Sequence, residues 1–414
     1  MIEHHPPVTA KPFSLPGRTR AVLAVVVATL LGSLLFLHSP WGHGDIDLYR
    51  GYARAFWLGP HAFHALPVEY PILSLVPFSL TLLPPLPDHV TVYALWMLLL
   101  LVAGLVLTAR RESPRVAETC ALYLALGGFG TVLGRFDLVP AAAVVGAWWA
   151  TRDRRFPLAY ALLAAGTLLK LYPLFLLPVV VIEHWRSLGG RGRSRPPRAL
   201  LEGVALYAGG VAAGFALAWL LAPGSWLDPI LYERARPLQV ESVPASLLWL
   251  SGLVGFSVRP DHSFHSYNLT GALAGPLTVL SLLALVAGCL SIYWRQVRGR
   301  AGFGPALVAC LLVVICTSRV LSPQYLIWVV PLLALLERGH RWRWLAVCAL
   351  TTAIFPFGYE LSALHGAGTP ASYPEPFLAL IAARNAVLVA STVGLLRSLS
   401  TVEPEPVSPV ASAR

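Results

Sequence analysis

The chain reads as an all-α polytopic membrane protein, a bundle of about 12 transmembrane helices with an outer juxtamembrane helical loop after the first span. Three observations predict the all-α membrane class. Of 414 residues, 56 % are hydrophobic and only 12 % charged, against roughly 25 % charged in a soluble domain, and the mean hydropathy is +0.66. The apolar residues fall in runs of crossing or near-crossing length. Short basic clusters separate the runs and account for the net charge of +11. This composition excludes a soluble enzyme, a disordered chain and a nucleic-acid module. The basic clusters read as cytoplasmic loops rather than as a nucleic-acid surface.

Taken in order, residues 1–20 form a cytoplasmic N-terminal tail carrying Lys11, Arg18 and Arg20. The run 21–37 is followed by His38-Ser39-Pro40-Trp41 instead of a small-residue cleavage site, so it reads as an uncleaved first span. The candidate spans are 21–37, 90–109, 116–133, 137–151, 157–169, 171–183, 200–222, 271–293, 303–318, 320–336, 343–357 and 376–397. One further apolar run, 71–87, holds Pro71, Pro77, Pro84, Pro85 and Pro87. Placing it along the outer interface as a broken amphipathic helix keeps Arg110–Arg111, Arg152–Arg155, Arg186–Arg198, Arg295–Arg300 and Arg338–Arg343 all inside. The same arithmetic bends 157–183 into two short helices near Lys170-Leu171-Tyr172-Pro173. The transmembrane domain is then 21–397, with a first outer loop at 38–89 and a long outer loop at 223–270, and 398–414 is a disordered cytoplasmic tail. Five cysteines (Cys120, Cys289, Cys310, Cys316, Cys348) lie in apolar runs without metal-like spacing and read as small core residues.

Chemistry-bearing residues gather in the outer segments. The first loop reads His43-Gly44-Asp45-Ile46-Asp47-Leu48-Tyr49 and continues to Glu69-Tyr70-Pro71. Acidic groups beside a membrane are costly unless paired or functional. Asp45 either caps a helix beginning near Ile46 or serves as a general base at a fixed helix end. Asp45 and Tyr49, four apart, share a helix face, whereas Asp47 points elsewhere.

Here a resemblance becomes specific. Asp45-x-x-x-Tyr49, Gly59-Pro60-x-x-Phe63 and Glu69-Tyr70-Pro71 resemble the first luminal loop of GT-C glycosyltransferases. More narrowly, they resemble glycosyltransferase family 87, the bacterial polyprenyl-phosphate-mannose-dependent mannosyltransferases. The chain departs from that pattern at Phe63, where a Tyr directly after Pro60 is usual, and at Ile72, where a second Pro is common. Gly134-Arg135-Phe136-Asp137, Gly166-Thr167-Leu168-Leu169-Lys170, Arg234-x-Arg236-Pro237-Leu238-Gln239-Val240-Glu241 and Ser322-Pro323-Gln324-Tyr325 are similar to later family segments and occur in the same order.

The resemblance implies transfer of a hexose, mannose above all, from a polyprenyl phosphate to a glycolipid or polysaccharide acceptor. The face would be extracytoplasmic, the setting a bacterial plasma membrane and the chemistry an inverting displacement. Asp45 would be the base, with Asp47 as backup and Glu69 and Asp137 orienting. Lys170, Arg135, Arg234 and Arg319 would hold the donor phosphate. Tyr49, Tyr70, Arg236, Gln239, Glu241, Gln324 and Tyr325 would contact the sugars. A cation on the leaving phosphate removes the need for a second, acidic carboxylate. The expected partners are thus a lipid-linked sugar, its acceptor and the membrane, with no nucleic acid. No cofactor and no metal is expected, a divalent ion at Asp45, Asp47, Glu69 and His43 being the alternative. The absence of GxGxxG and of GxxxxGK[ST] fits a lipid-linked rather than a nucleotide donor. A flippase of lipid-linked sugars would use the same outer cations and is the rival reading, and a non-catalytic assembly subunit is a third.

Overall fold

A computed structural model of the chain describes residues 17–40, 42–189, 197–336, 341–364 and 374–399. The expected tails before 17 and after 399, Trp41, Arg191–Arg195 and Arg338 lie outside the described residues. In chain order the helices are α1 (Gly17–Leu37), α2 (Gly44–Leu58), α3 (Leu75–Ser79), α4 (His89–Arg111), α5 (Pro114–Gly127), α6 (Leu138–Arg152), α7 (Phe156–Leu169), α8 (Leu177–Ser187), α9 (Arg198–Leu221), α10 (Asp228–Ala235), α11 (Val243–Gly252), α12 (Ala274–Val297), α13 (Phe303–Thr317), α14 (Tyr325–Leu336), α15 (Arg341–Thr352), α16 (Tyr359–Leu364) and α17 (Glu375–Ser398). Their ends carry local signals. Asp88 and Ser113 accept hydrogen bonds from Thr91 N and Val116 N at 3.0 and 3.2 Å, Pro114 follows Ser113 at the first helical position, and Arg110–Arg111 close α4.

Each of the twelve apolar runs is helical over most of its length. Among the described residues, six helices are long and apolar enough to cross a membrane: Gly17–Leu37, His89–Arg111, Arg198–Leu221, Ala274–Val297, Arg341–Ser362 and Glu375–Ser398. The remaining six are shorter. The 14 residues of α7 rise only about 21 Å, against a hydrocarbon core of about 30 Å. Burial explains how short helices are tolerated. Every residue of α13 from Ala306 to Ile315 is buried, as are Tyr325–Val330 of α14, so these helices face protein rather than lipid. By contrast α9 and α12 expose Leu217, Trp219, Leu220, Leu280, Leu282 and Leu283, the pattern of helices solvated by lipid.

The run 71–87 is a broken helix, as its prolines demand: a 3-10 turn at Ile72–Ser74, then α3, then a second turn at Leu80–Leu82. The 157–183 segment bends where expected. Lys170 is extended (φ −159°, ψ 137°), a 3-10 turn runs Tyr172–Leu176, and α8 follows.

Two details go beyond the sequence reading. The chain is mostly helical, as an all-α membrane protein is, and its long loop adds a small antiparallel sheet, β1 (Leu238–Gln239), β2 (Val258–Ser263) and β3 (Ser266–Gly271), in the order β1-β3-β2. Leu238 pairs with Leu269, and Ser263 with Ser266 across a two-residue turn. Both turn residues, Phe264 and His265, have positive φ (56° and 49°), the geometry that suits strand twist. Gly271, at φ +158°, brings its backbone against Ser257 O, where a Cβ would lie 2.1 Å away. The sheet packs Leu238 and Leu269 against Ala245, Leu248, Ile354 and Phe377. Secondly, Asp45 does not cap α2. That helix starts at Gly44 without a side-chain cap, and the carboxylate turns to another partner.

Candidate active site

The polar groups converge at one end of the bundle, where α2, the turn before α6, the α7–α8 bend, α10 and the 318–324 segment meet. The arginine-rich helix ends lie at the other. There Arg111 pairs with Asp153 and Arg152 with Glu112, each at 2.5 Å.

Two ion pairs form the centre. Asp45, in the first turn of α2, pairs through Oδ2 with Arg135 Nη1, and its side chain stays 28 % exposed. Two residues beyond Arg135, Asp137 is fully buried and its Oδ1 accepts from Lys170 Nζ at 2.7 Å and from Trp328 Nε1 at 2.6 Å. The Lys170 ammonium also lies 5.0–5.7 Å from the ring centres of Tyr70, Phe136, Tyr325 and Trp328. Such an arrangement solvates a buried cation with a carboxylate and π faces. Asp137 Oδ2 and the hydroxyls of Tyr93 and Tyr172 have no hydrogen-bond partner among the described residues.

Aromatic packing fixes α2 over this centre. Tyr49 is 1 % exposed and stacks on Phe78 at 4.3 Å, edge-on to Tyr70 and Phe136. Tyr49 is therefore part of the support and offers no open face to a sugar. Asp47 points away, as its position predicts, to His89 at 2.7 Å and His43 at 3.5 Å, and this ties α2 to the start of α4.

A second cluster adjoins Tyr70. Glu69 accepts from the Tyr232 hydroxyl at 3.1 Å. Burial raises the Glu69 carboxyl above its ordinary value, while the Tyr232 hydrogen bond and the nearby Arg236 charge pull it back. Arg236 lies over the Tyr232 ring at 5.6 Å and 3.6 Å from Glu233. Arg319 is committed to backbone: it donates to the carbonyls of Glu233, Arg234 and Arg236 at 2.6, 3.1 and 3.1 Å, capping the end of α10. Arg234 is exposed on the last turn of α10.

Gln239 and Glu241 sit deeper. Gln239 Oε1 accepts from Leu321 N and Glu241 N, both at 3.2 Å, and so stitches the long loop to the 318–324 segment. Glu241, 1 % exposed, pairs with the fully buried Arg384 at 3.3 Å and accepts from Tyr359 at 3.0 Å. Both roles are scaffolding ones. Gln324 is buried beside Tyr325, and its Oε1 has no partner among the described residues. Sequence reasoning missed Arg384, Asn385, Trp328 and His89. An arginine and asparagine inside the apolar run 376–397 were the available signal. Trp328 gave none.

No three His, Cys, Asp or Glu side chains converge as a metal site among the described residues. An apolar crevice starts at Tyr70 and runs between Leu66, Pro71 and the α9 residues Phe215 and Ala218 toward Trp226.

Comparison with known proteins gives one family match. The model of glycosyltransferase family 87 covers residues 69–323, a span that includes Glu69, Arg135, Asp137, Lys170, Arg236 and Arg319 and begins after Asp45. No curated protein matches the chain.

Proposed function

The chain belongs to glycosyltransferase family 87 and is a membrane glycosyltransferase, and from that premise we propose that it moves a hexose, mannose in the first instance, from a polyprenyl phosphate to a lipid or polysaccharide acceptor. The observation that carries the reading is the Asp45–Arg135 pair set beside Asp137–Lys170 at one end of the bundle. A carboxylate with residual exposure stands there next to a guanidinium and an ammonium. This is the equipment for removing a proton from a hydroxyl while a phosphate leaves.

In the reaction, an acceptor hydroxyl approaches the anomeric carbon from the face opposite the phosphate. Asp45 takes its proton as the new C–O bond forms. The bond from the anomeric carbon to the phosphate oxygen breaks, and the electron pair leaves with the polyprenyl phosphate. Arg236, beside Glu233 and Tyr232, balances the charge that gathers on the leaving oxygen, while Arg135 holds Asp45 in place on the attacking side. Lys170 is already paired with Asp137, so its part is to hold this layer rigid. Glu69 with Tyr232 offers hydrogen bonds to sugar hydroxyls. The site would face outward, since the arginine-rich helix ends mark the cytoplasmic side.

The test is turnover of polyprenyl-phosphate-mannose by purified protein in lipid with a membrane-lipid extract, followed as mannosylated product. Product from the wild type and none from Asp45→Asn, with donor still bound by both, is the expected result. Donor transfer across vesicles that continues unchanged in Asp45→Asn, without product, would replace this reading with a lipid-sugar flippase.

A further inference from the structure

At the end of the bundle opposite Asp45, α7, α8 and α9 surround a cleft of about 450 Å³. Its floor is aromatic: Phe156 stacks on His184 at 3.9 Å, and the Tyr160 hydroxyl lies 3.2 Å from His184 Nδ1. The floor is tight because α9 brings Gly203 onto the Tyr160 ring, where a Cβ would sit 2.2 Å from it. The wall is apolar at Leu206 and Leu188, and it continues onto the exposed Leu158 and Leu201 of the lipid-facing flanks.

The mouth is basic. Arg154 lines it and Arg155 adjoins it, both exposed, and neither has an ion pair among the described residues. Their neighbours are spent, Arg152 on Glu112 and Asp153 on Arg111. The one carboxylate among the lining residues, Glu202, is held by Arg198 at 2.7 Å. The first turns of α7 and α9 also open here, at Pro157 and Ala199, and add the positive ends of two helix dipoles.

A cationic mouth at the helix ends above an apolar wall that merges with the lipid face matches one class of ligand. We propose that this cleft is a binding site for an anionic phospholipid, its phosphate on Arg154 and its first acyl carbons along Leu206 and Phe156. A zwitterionic lipid brings its own ammonium to a mouth that is already positive, and it binds less well. The site is separate from the transferase reading and stands or falls without it.

The experiment offers the purified protein mixed micelles of phosphatidylglycerol and phosphatidylcholine in equal amounts and counts retained lipids by native mass spectrometry. The wild type is expected to retain phosphatidylglycerol over phosphatidylcholine by about tenfold, the ratio that 1.4 kcal/mol gives. Arg154→Gly, a substitution its φ of 58° accommodates, brings the ratio toward one. Ala199→Trp, which fills the cleft, does the same. Glu202→Gln raises the ratio, a gain that misfolding cannot produce. Equal retention of the two lipids by the wild type, or a preference that none of the three variants changes, overturns the proposal. So does inorganic phosphate raising the melting temperature as much as phosphatidylglycerol with the same dependence on Arg154, which would make the cleft a soluble-anion site.

Discussion

At Asp45 the proposed role of proton acceptor and the observed one of ion-pair partner meet in one carboxylate. Arg135 holds Oδ2 while the side chain stays 28 % exposed, so the group is oriented yet reachable. Asp45→Asn keeps the shape and removes the base, and turnover should fall about 10²–10⁴-fold with donor binding retained, as measured by product formation beside a lipid-donor binding assay. Asp137 behaves differently, because its carboxylate has no exposure at all. Lys170→Met strands a buried charge and should cost about 3–5 kcal/mol, whereas Lys170→Met with Asp137→Asn should recover much of it. Thermal unfolding in detergent measures both. Glu69 gives a pH signature. Burial raises its pKa above the usual 4.5, so the folded protein holds that proton more tightly than the unfolded chain does. The stabilisation it confers is complete below the unfolded value and is lost as pH rises through 4.5 toward the folded value. Glu69→Gln should flatten the melting temperature across that window, and an unchanged slope would assign the pH dependence to another group.

Among the elements, the helices were legible and the sheet was not. Apolar runs, prolines and basic ends are strong signals, and they located α1, α4, α9, α12 and the bend at Lys170. The hairpin of β2 and β3 turns on Phe264-His265 with positive φ at both, and without the usual Asn-Gly or Asp-Gly pair it left no mark. The site shows the same division. Residue type pointed to Asp45, Arg135, Asp137 and Lys170, yet which carboxylate would meet which cation depends on how α2 seats over the α6 turn, and that rests on Tyr49, Phe78 and Phe136. Tyr49 and Glu241 were expected at the sugars because polar groups in outer loops look available. Burial turned the first into packing and the second into a strut to Arg384. That strut joins the long loop to α17. Arg384→Leu leaves Glu241 buried and unpaired and should destabilise by about 3–5 kcal/mol. Glu241→Gln combined with Arg384→Leu should cost less, and a double-mutant cycle on melting reads the coupling.

For the molecule as a whole, the consequential feature is the separation of its two ends. Helices of 11–15 residues such as α8 and α13 cannot each span a full bilayer. Where such a helix is buried, as α13 is from Ala306 to Ile315, it carries the chain between the two polar ends without meeting lipid. This lets the connecting segments divide by charge: the Asp45–Arg135 and Asp137–Lys170 pairs and the sheet lie at one end, and the arginine-rich helix ends, in which arginines outnumber their carboxylate partners, lie at the other. Positive charge resists translocation, so the proposed orientation keeps the arginine end in the cytoplasm and turns the Asp45 end outward. The cysteines of the chain are buried or nearly so, which leaves a clean background for labelling single introduced thiols. Ser257→Cys, exposed beside β2, should react with a membrane-impermeant maleimide in intact cells. Arg115→Cys, exposed in the first turn of α5, should react only after the membrane is opened. The reverse pattern would invert the molecule, move the site to the cytoplasmic face and require a donor available there. Labelling of both in intact cells would mean that the helices do not separate the two ends.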